Sequence, residues 1–183
     1  MIPFPKKKYD IIYADPAWSY KNKMLNPFRE KLSPSAAKDH YDTMEISELK
    51  GLPVKKISAE NALLFLWVSS PNLPYCIEVG ESWGFRFTTV AFVWDKERVN
   101  PGSYTMSQCE LCLAFKRGTI PKPRGARNIR QLIRVKRGKH SVKPLVAQKR
   151  ITDMFPDQKK IELFARDVEL VKMDGWDYWG DQV

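Results

Sequence analysis

The stretch Tyr9-Asp10-Ile11-Ile12-Tyr13-Ala14 runs without a break into Asp15-Pro16-Ala17-Trp18, and this junction constrains the chain more than any other part of it. An apolar run of this length, closed by turn residues, reads as a buried strand. Ligands bind at strand ends in open α/β sheets, so an acid, a proline and an aromatic placed there predict chemistry. Proline locks its own φ and has no N–H, which makes the Asp15 carboxylate and the Pro16 carbonyl two acceptors in fixed geometry. The Trp18 ring offers a face on which a base can stack. Two acceptors and a flat wall suit the exocyclic amino group of a nucleobase: both N–H donors are engaged and the nitrogen is left nucleophilic. The plainer reading is that Asp-Pro opens a turn and Trp18 closes over a core, and the rest of the chain must decide.

Further strands are expected near 9–15, 61–68, 86–94, 109–116 and 160–164, with a short last one ending in Trp176-Asp177-Tyr178-Trp179. Helical patterns fall near 45–50, 72–83 and 143–155, and Pro144 suits the first turn of the last. Strands alternating with helices imply an α/β domain whose mostly parallel sheet is covered on both faces. Three long irregular stretches, 19–44, 95–108 and 117–142, interrupt the pattern. Such loops are usually functional or disordered, and the first, carrying Lys21, Lys23, Arg29 and Tyr41 directly after the Asp-Pro site, could close over a substrate as a lid. Neither G-x-G-x-x-G nor G-x-x-x-x-G-K-[ST] occurs, which argues against an ordinary dinucleotide-binding domain or a P-loop enzyme.

With 183 residues and 43% hydrophobic content, a single domain with a sizeable core is expected over 1–183. The apolar run Ala62–Val68 is far too short to span a bilayer, and Met1-Ile2-Pro3-Phe4-Pro5-Lys6 lacks a signal-peptide core, so a soluble, cytoplasmic protein is expected. Cys76, Cys109 and Cys112 make no disulfide framework. Cys109-Glu110-Leu111-Cys112 has no second pair and only His40 and His140 to complete a site, so Cys112 reads as strand packing and no metal is expected.

The net charge of +10 is not spread evenly. Lys116–Arg150 holds thirteen bases and no acid, which leaves the rest of the chain slightly acidic. Arg127, Arg130 and Arg134 in that segment are expected to contact phosphates of a nucleic acid. The bland alternative is a solvated basic loop.

Nine blocks in order resemble the adenine-amino methyltransferase family typified by the catalytic subunit of the eukaryotic messenger-RNA adenosine methyltransferase, which also has small bacterial and phage members. They are Ala14-Asp15-Pro16-Ala17-Trp18, His40-Tyr41-Asp42-Thr43-Met44, Leu64-Phe65-Leu66-Trp67-Val68, Trp83-Gly84-Phe85, Phe92-Val93-Trp94-Asp95-Lys96, Glu110-Leu111-Cys112-Leu113, His140-Ser141-Val142-Lys143-Pro144, Ile161-Glu162-Leu163-Phe164-Ala165-Arg166 and Gly175–Gln182. The resemblance covers about Tyr9 to Gln182. It implies a Rossmann-like fold in permuted order, with the catalytic motif N-terminal, the cofactor strand C-terminal and S-adenosylmethionine as cofactor. The activity implied is methyl transfer to the N6 amino group of adenine, with DNA favoured over RNA. A catalytically silent nucleic-acid-binding subunit of the same fold is the rival.

Carried over by the resemblance, Asp15 and the Pro16 carbonyl hold the amino group, Trp18 walls the flipped base and Tyr41 is a second aromatic of the base pocket. Lys143 contacts the cofactor carboxylate, Phe164 and Arg166 border its ribose, and Asp181 and Gln182 lie near its adenine. Glu110 matches an acid near the active site. Ala17 stands where the family usually has a second proline, which removes one locked φ from the motif. No separate target-recognition domain is present in this reading, so sequence preference falls to the three long stretches or to a partner chain. A monomer and a homodimer are both allowed.

Overall fold

The computed structural model describes residues 3–18, 44–102, 104–138, 142–166 and 172–180. Tyr41, Asp181, Gln182 and nearly all of the expected lid lie outside these residues. Among the described residues seven strands form one sheet: β1 (Tyr9–Ala14), β2 (Ser58–Val68), β3 (Arg86–Asn100), β4 (Ser107–Arg117), β5 (Leu132–Arg134), β6 (Lys160–Leu163) and β7 (Trp176–Trp179). Their order is β5-β3-β4-β2-β1-β6-β7. β1 pairs in parallel with both β2 and β6, β6 with β7, and β3 with β5, while β4 runs antiparallel to both of its neighbours. The chain leaves β1 toward β2 on one side and later adds β6 on the other. That arrangement opens a crevice at the carboxyl end of β1, where Asp15 stands.

Period-2 alternation sorts the strand residues into two cores. Ile12, Ala14, Leu64, Leu66 and Val68 face one layer with Leu49, Val79 and Trp83. Ile11, Tyr13, Leu63, Phe65, Trp67 and Cys112 face the other, with Ala147, Ile151 and Phe155. Helices α1 (Ile46–Gly51), α2 (Val54–Ile57) and α3 (Leu73–Ser82) supply the first layer and α4 (Leu145–Met154) the second. Both faces are therefore apolar, which is why the central strands read as continuous hydrophobic runs.

Local chemistry fixes the helix ends. The Glu45 N–H donates to Glu48 Oε2 at 2.7 Å, closing a capping box on α1. Pro74 lies in the first turn of α3, and Gly84 at φ +86° ends that helix. There the Phe85 N–H donates to Gly80 O and the Gly84 N–H to Glu81 O, the paired bonds of a Schellman motif. Phe85 is thereby delivered into the core.

Two of the three expected irregular stretches are ordered differently. Residues 95–100 extend β3 and residues 107 and 108 extend β4, pairing Asp95 with Cys109 and Asn100 with Ser107. The polar run Asp95-Lys96-Glu97-Arg98 hides this strand from a search for apolar alternation, because Glu97 and Arg98 face solvent and Lys96 puts a charge on the buried face. Within 117–142, Leu132–Arg134 forms β5, whose three residues are too short to give a period. Cys112 is buried in the second core, as strand packing requires, and Cys109 is exposed. Among the described residues no helix is long and apolar enough to cross a membrane.

Candidate active site

The carboxyl edge of the sheet gathers one charged residue from each of several elements. Tyr13, Cys112 and Trp94 all sit in the second core, so the next residue on the same face beyond each is Asp15, Glu110 and Lys96. Lys143 arrives from the segment leading into α4, and its ammonium lies 2.9 Å from Asp15 Oδ1 and 3.1 Å from Glu110 Oε2. To bridge these carboxylates it crosses the intervening strand β2, passing over the Trp67 ring at 5.8 Å. On the far side, Lys96 Nζ lies 3.2 Å from Glu110 Oε1.

Burial raises the Asp15 pKa, and the Lys143 and Arg166 charges pull against it. The outcome is a carboxylate more basic than usual, and so a stronger hydrogen-bond acceptor. Burial would also raise Glu110, but Lys143 and Lys96 outweigh it and hold its carboxyl below the usual range. For Lys143 burial opposes the charge, and Asp15 and Glu110 together overcome it and raise its pKa. Lys143 is no surface cation: its side chain is 11% exposed.

The Asp15 backbone N–H is directed at Leu163 O, 3.5 Å away, which ties the acid to the end of β6. Pro16 O accepts the Trp18 N–H at 2.9 Å, leaving its second lone pair for another donor. Trp18 is 6% exposed and donates from Nε1 to Trp67 O at 2.9 Å, so its ring is pinned inside the first core. At this turn the Met44 N–H donates to Ala17 O at 3.1 Å.

Beside Asp15 a cleft is lined by Tyr13, Lys143, Gln148, Glu162, Phe164 and Arg166, together with Val142 and Leu145. Glu162 accepts from the Gln148 amide. Burial, with Asp15 adding repulsion, pushes Glu162 up to about 7. Phe164 adopts φ +63°, a conformation that strains a non-glycine residue, immediately after β6. Gly180 permits the close approach that follows: a Cβ there would lie 2.4 Å from Ala165 O, where Ala165 N–H bonds to Trp179 O.

The MT-A70 family pattern matches residues 9–182. The chain belongs to the MT-A70 family. It is 47% identical over 189 residues to the type II methyltransferase M.MunI of a Mycoplasma species, covering 98% of this chain and 79% of that protein. It is 25% identical to the mouse N(6)-adenine-specific methyltransferase METTL4 over 97% of this chain and 38% of that protein, and 23% identical to the human one. The permuted order expected of the family matches the sheet, with the Asp-Pro turn on the first strand and the Phe164–Arg166 turn late in the chain.

In this MT-A70 chain the structure brings together Asp15, Glu110, Lys143, Phe164 and Arg166 at one sheet edge, with Pro16 next to Asp15 in the chain. It does not gather the three arginines there. Arg127, Arg130 and Arg134 are exposed along the sheet border: Ala126 N–H bonds to Asp153 O near the end of α4, Arg130 O accepts from Arg150, and Arg134 pairs loosely with Asp95 at 3.9 Å. Of the three, Arg134 is the one at the active-site end. Sequence reasoning assigned no role to Lys96, Gln148 or Glu162. The signal was an acid inside the apolar strand Ile161-Glu162-Leu163, a pattern that places a charge against the core.

Proposed function

We propose that this methyltransferase acts on the N6 amino group of adenine in DNA, with S-adenosylmethionine as methyl donor. The observation that carries the reading is Asp15, whose Oδ1 is held by Lys143 at the carboxyl end of β1, directly before Pro16 in the chain. Asp15 Oδ2 and the remaining Pro16 lone pair then accept the two amino hydrogens of an extruded adenine. Engaging both hydrogens orients the nitrogen lone pair out of conjugation with the ring and toward the methyl donor.

The cleft residues fit the cofactor by their chemistry. Lys143 has three N–H donors and directs two at Asp15 and Glu110, so one is left for a carboxylate. Glu162 and Arg166 supply an acceptor and donors for ribose hydroxyls, and Phe164 supplies an apolar face. The cofactor contributes a sulfonium-bound methyl group, and the protein contributes alignment and charge. DNA is favoured because the relative at 47% identity is a type II methyltransferase. The exposed Arg127, Arg130 and Arg134 are proposed to follow its phosphates.

The deciding experiment is transfer of labelled methyl from S-adenosylmethionine to matched DNA and RNA, single- and double-stranded, with Asp15→Ala as control. Label on DNA adenine that vanishes in the control supports the reading. Label confined to RNA would move the substrate class. Cofactor binding without transfer to any of them would favour a silent subunit.

A further inference from the structure

Lys96 has no part in the reaction described above, yet it is only 6% exposed. A buried ammonium is unfavourable unless its hydrogens and charge are answered, so its surroundings are informative. Its carboxylate partner is Glu110, 3.2 Å away. The neighbouring acid, Asp95, is engaged elsewhere: Gln108 donates to its Oδ1 at 2.6 Å and Arg134 approaches its Oδ2. Lys96 is also fixed through its backbone, whose carbonyl accepts the Arg137 N–H at 3.1 Å.

The four groups Lys96, Glu110, Lys143 and Asp15 therefore alternate in charge along one connected line. Each Glu110 oxygen has its own cation, Oε1 with Lys96 and Oε2 with Lys143, and this sets the plane of the carboxylate. Without Lys96 two carboxylates share one ammonium. Glu110 can then turn both oxygens toward Lys143 and draw it away from Asp15.

We propose that Lys96 is a positioning residue for methyl transfer: by holding Glu110 Oε1 it keeps Oε2 on Lys143, and so keeps Lys143 on Asp15 Oδ1 with the other Asp15 oxygen turned to the amino group. This rests on the reading of Asp15 as the acceptor for adenine. Lys96 touches neither substrate nor cofactor and acts through two intervening side chains.

The test compares the full chain with Lys96→Met, Lys96→Arg, Glu110→Gln and the Lys96→Met/Glu110→Gln double variant, using adenine-containing duplex DNA. Lys96→Met is expected to lower kcat about tenfold with the cofactor KM changed less than about threefold. The groups facing Glu110 are Lys96, Lys143 and Asp15, so loss of one cation should also move the acid limb of the kcat profile to higher pH. Lys96→Arg should restore most of the rate, and in the Glu110→Gln background the Met substitution should cost little more. Carboxyl NMR titration of Glu110 gives a readout independent of turnover, with its midpoint rising in Lys96→Met. Should that variant fail to fold, Lys96→Gln carries the same expectations.

An active wild-type chain with unchanged kcat and pH limb in Lys96→Met would overturn the proposal, as would an equal loss in the Glu110→Gln background. A wild-type chain that methylates no adenine would instead overturn the functional reading, and any role for Lys96 in turnover with it.

Discussion

Lys143 Nζ lies 2.9 Å from Asp15 Oδ1, joining the segment before α4 to the end of β1 through two largely buried side chains. One ammonium thereby tunes the proposed acceptor and is also the proposed donor to the cofactor, so the two halves of the proposed site share a charge.

Asp15→Ala is expected to cut methyl transfer by at least about 10²-fold, the usual loss when a positioned polar group is removed from a reacting centre. The fold should persist, because Lys143 keeps Glu110 as partner. Single-turnover kinetics with circular dichroism of the same sample checks both.

Lys143→Ala should raise the cofactor dissociation constant and also destabilise the protein. It leaves Asp15 without its ammonium partner and Glu110 with Lys96 alone, and breaking such a buried pair costs about 3–5 kcal/mol. The loss should be largest at pH 8 and shrink as the pH falls and Asp15 and Glu110 take up protons. Calorimetric melts across that range, with cofactor titration, separate the two effects.

Glu162 has a folded pKa of about 7, above its ordinary 4.5, so the folded state binds the extra proton. Stability from this group is full below its unfolded pKa and is lost as pH rises through the folded one. Glu162→Gln keeps an acceptor for Gln148 and removes the charge. It should raise stability by on the order of 2 kcal/mol at pH 8 and leave it nearly unchanged at pH 4. Equal melting shifts at both values would sink this account of the buried acid.

Neutralising Arg127, Arg130 and Arg134 together should flatten the salt dependence of DNA binding by about 0.9 in log–log slope for each phosphate no longer neutralised. Arg134→Ala alone should be the most damaging single change, since Arg134 sits at the active-site end of the row. Binding isotherms at several salt concentrations measure this. An unchanged slope would leave the segment as a solvated border.

Gly180→Ala places a Cβ against Ala165 O and should cost about 1–3 kcal/mol. The strain falls on the turn carrying Phe164 and Arg166, so cofactor affinity should drop as well. Thermal melts with and without cofactor show whether both change.

The apolar runs in β1 and β2 were legible in the sequence because burial on both faces leaves 11–14 and 62–68 without a charged residue. The Asp-Pro turn was legible because it follows such a run directly. Helices α1, α3 and α4 lie close to their expected spans for similar reasons, their ends marked by prolines and by Gly84. The β3–β4 hairpin was not legible: its far half is polar, and only pairing across the ladder makes it a strand. Nor could sequence alone show that Glu110 has two cations or that Lys96 is buried, because these interactions bring together β1, β3, β4 and the approach to α4. Periodicity reports which face a residue occupies, and so the sequence by itself determined the layers, the strand-end acid and the basic segment. Distances between side chains from different strands depend on strand order and register, which the tertiary structure alone decided.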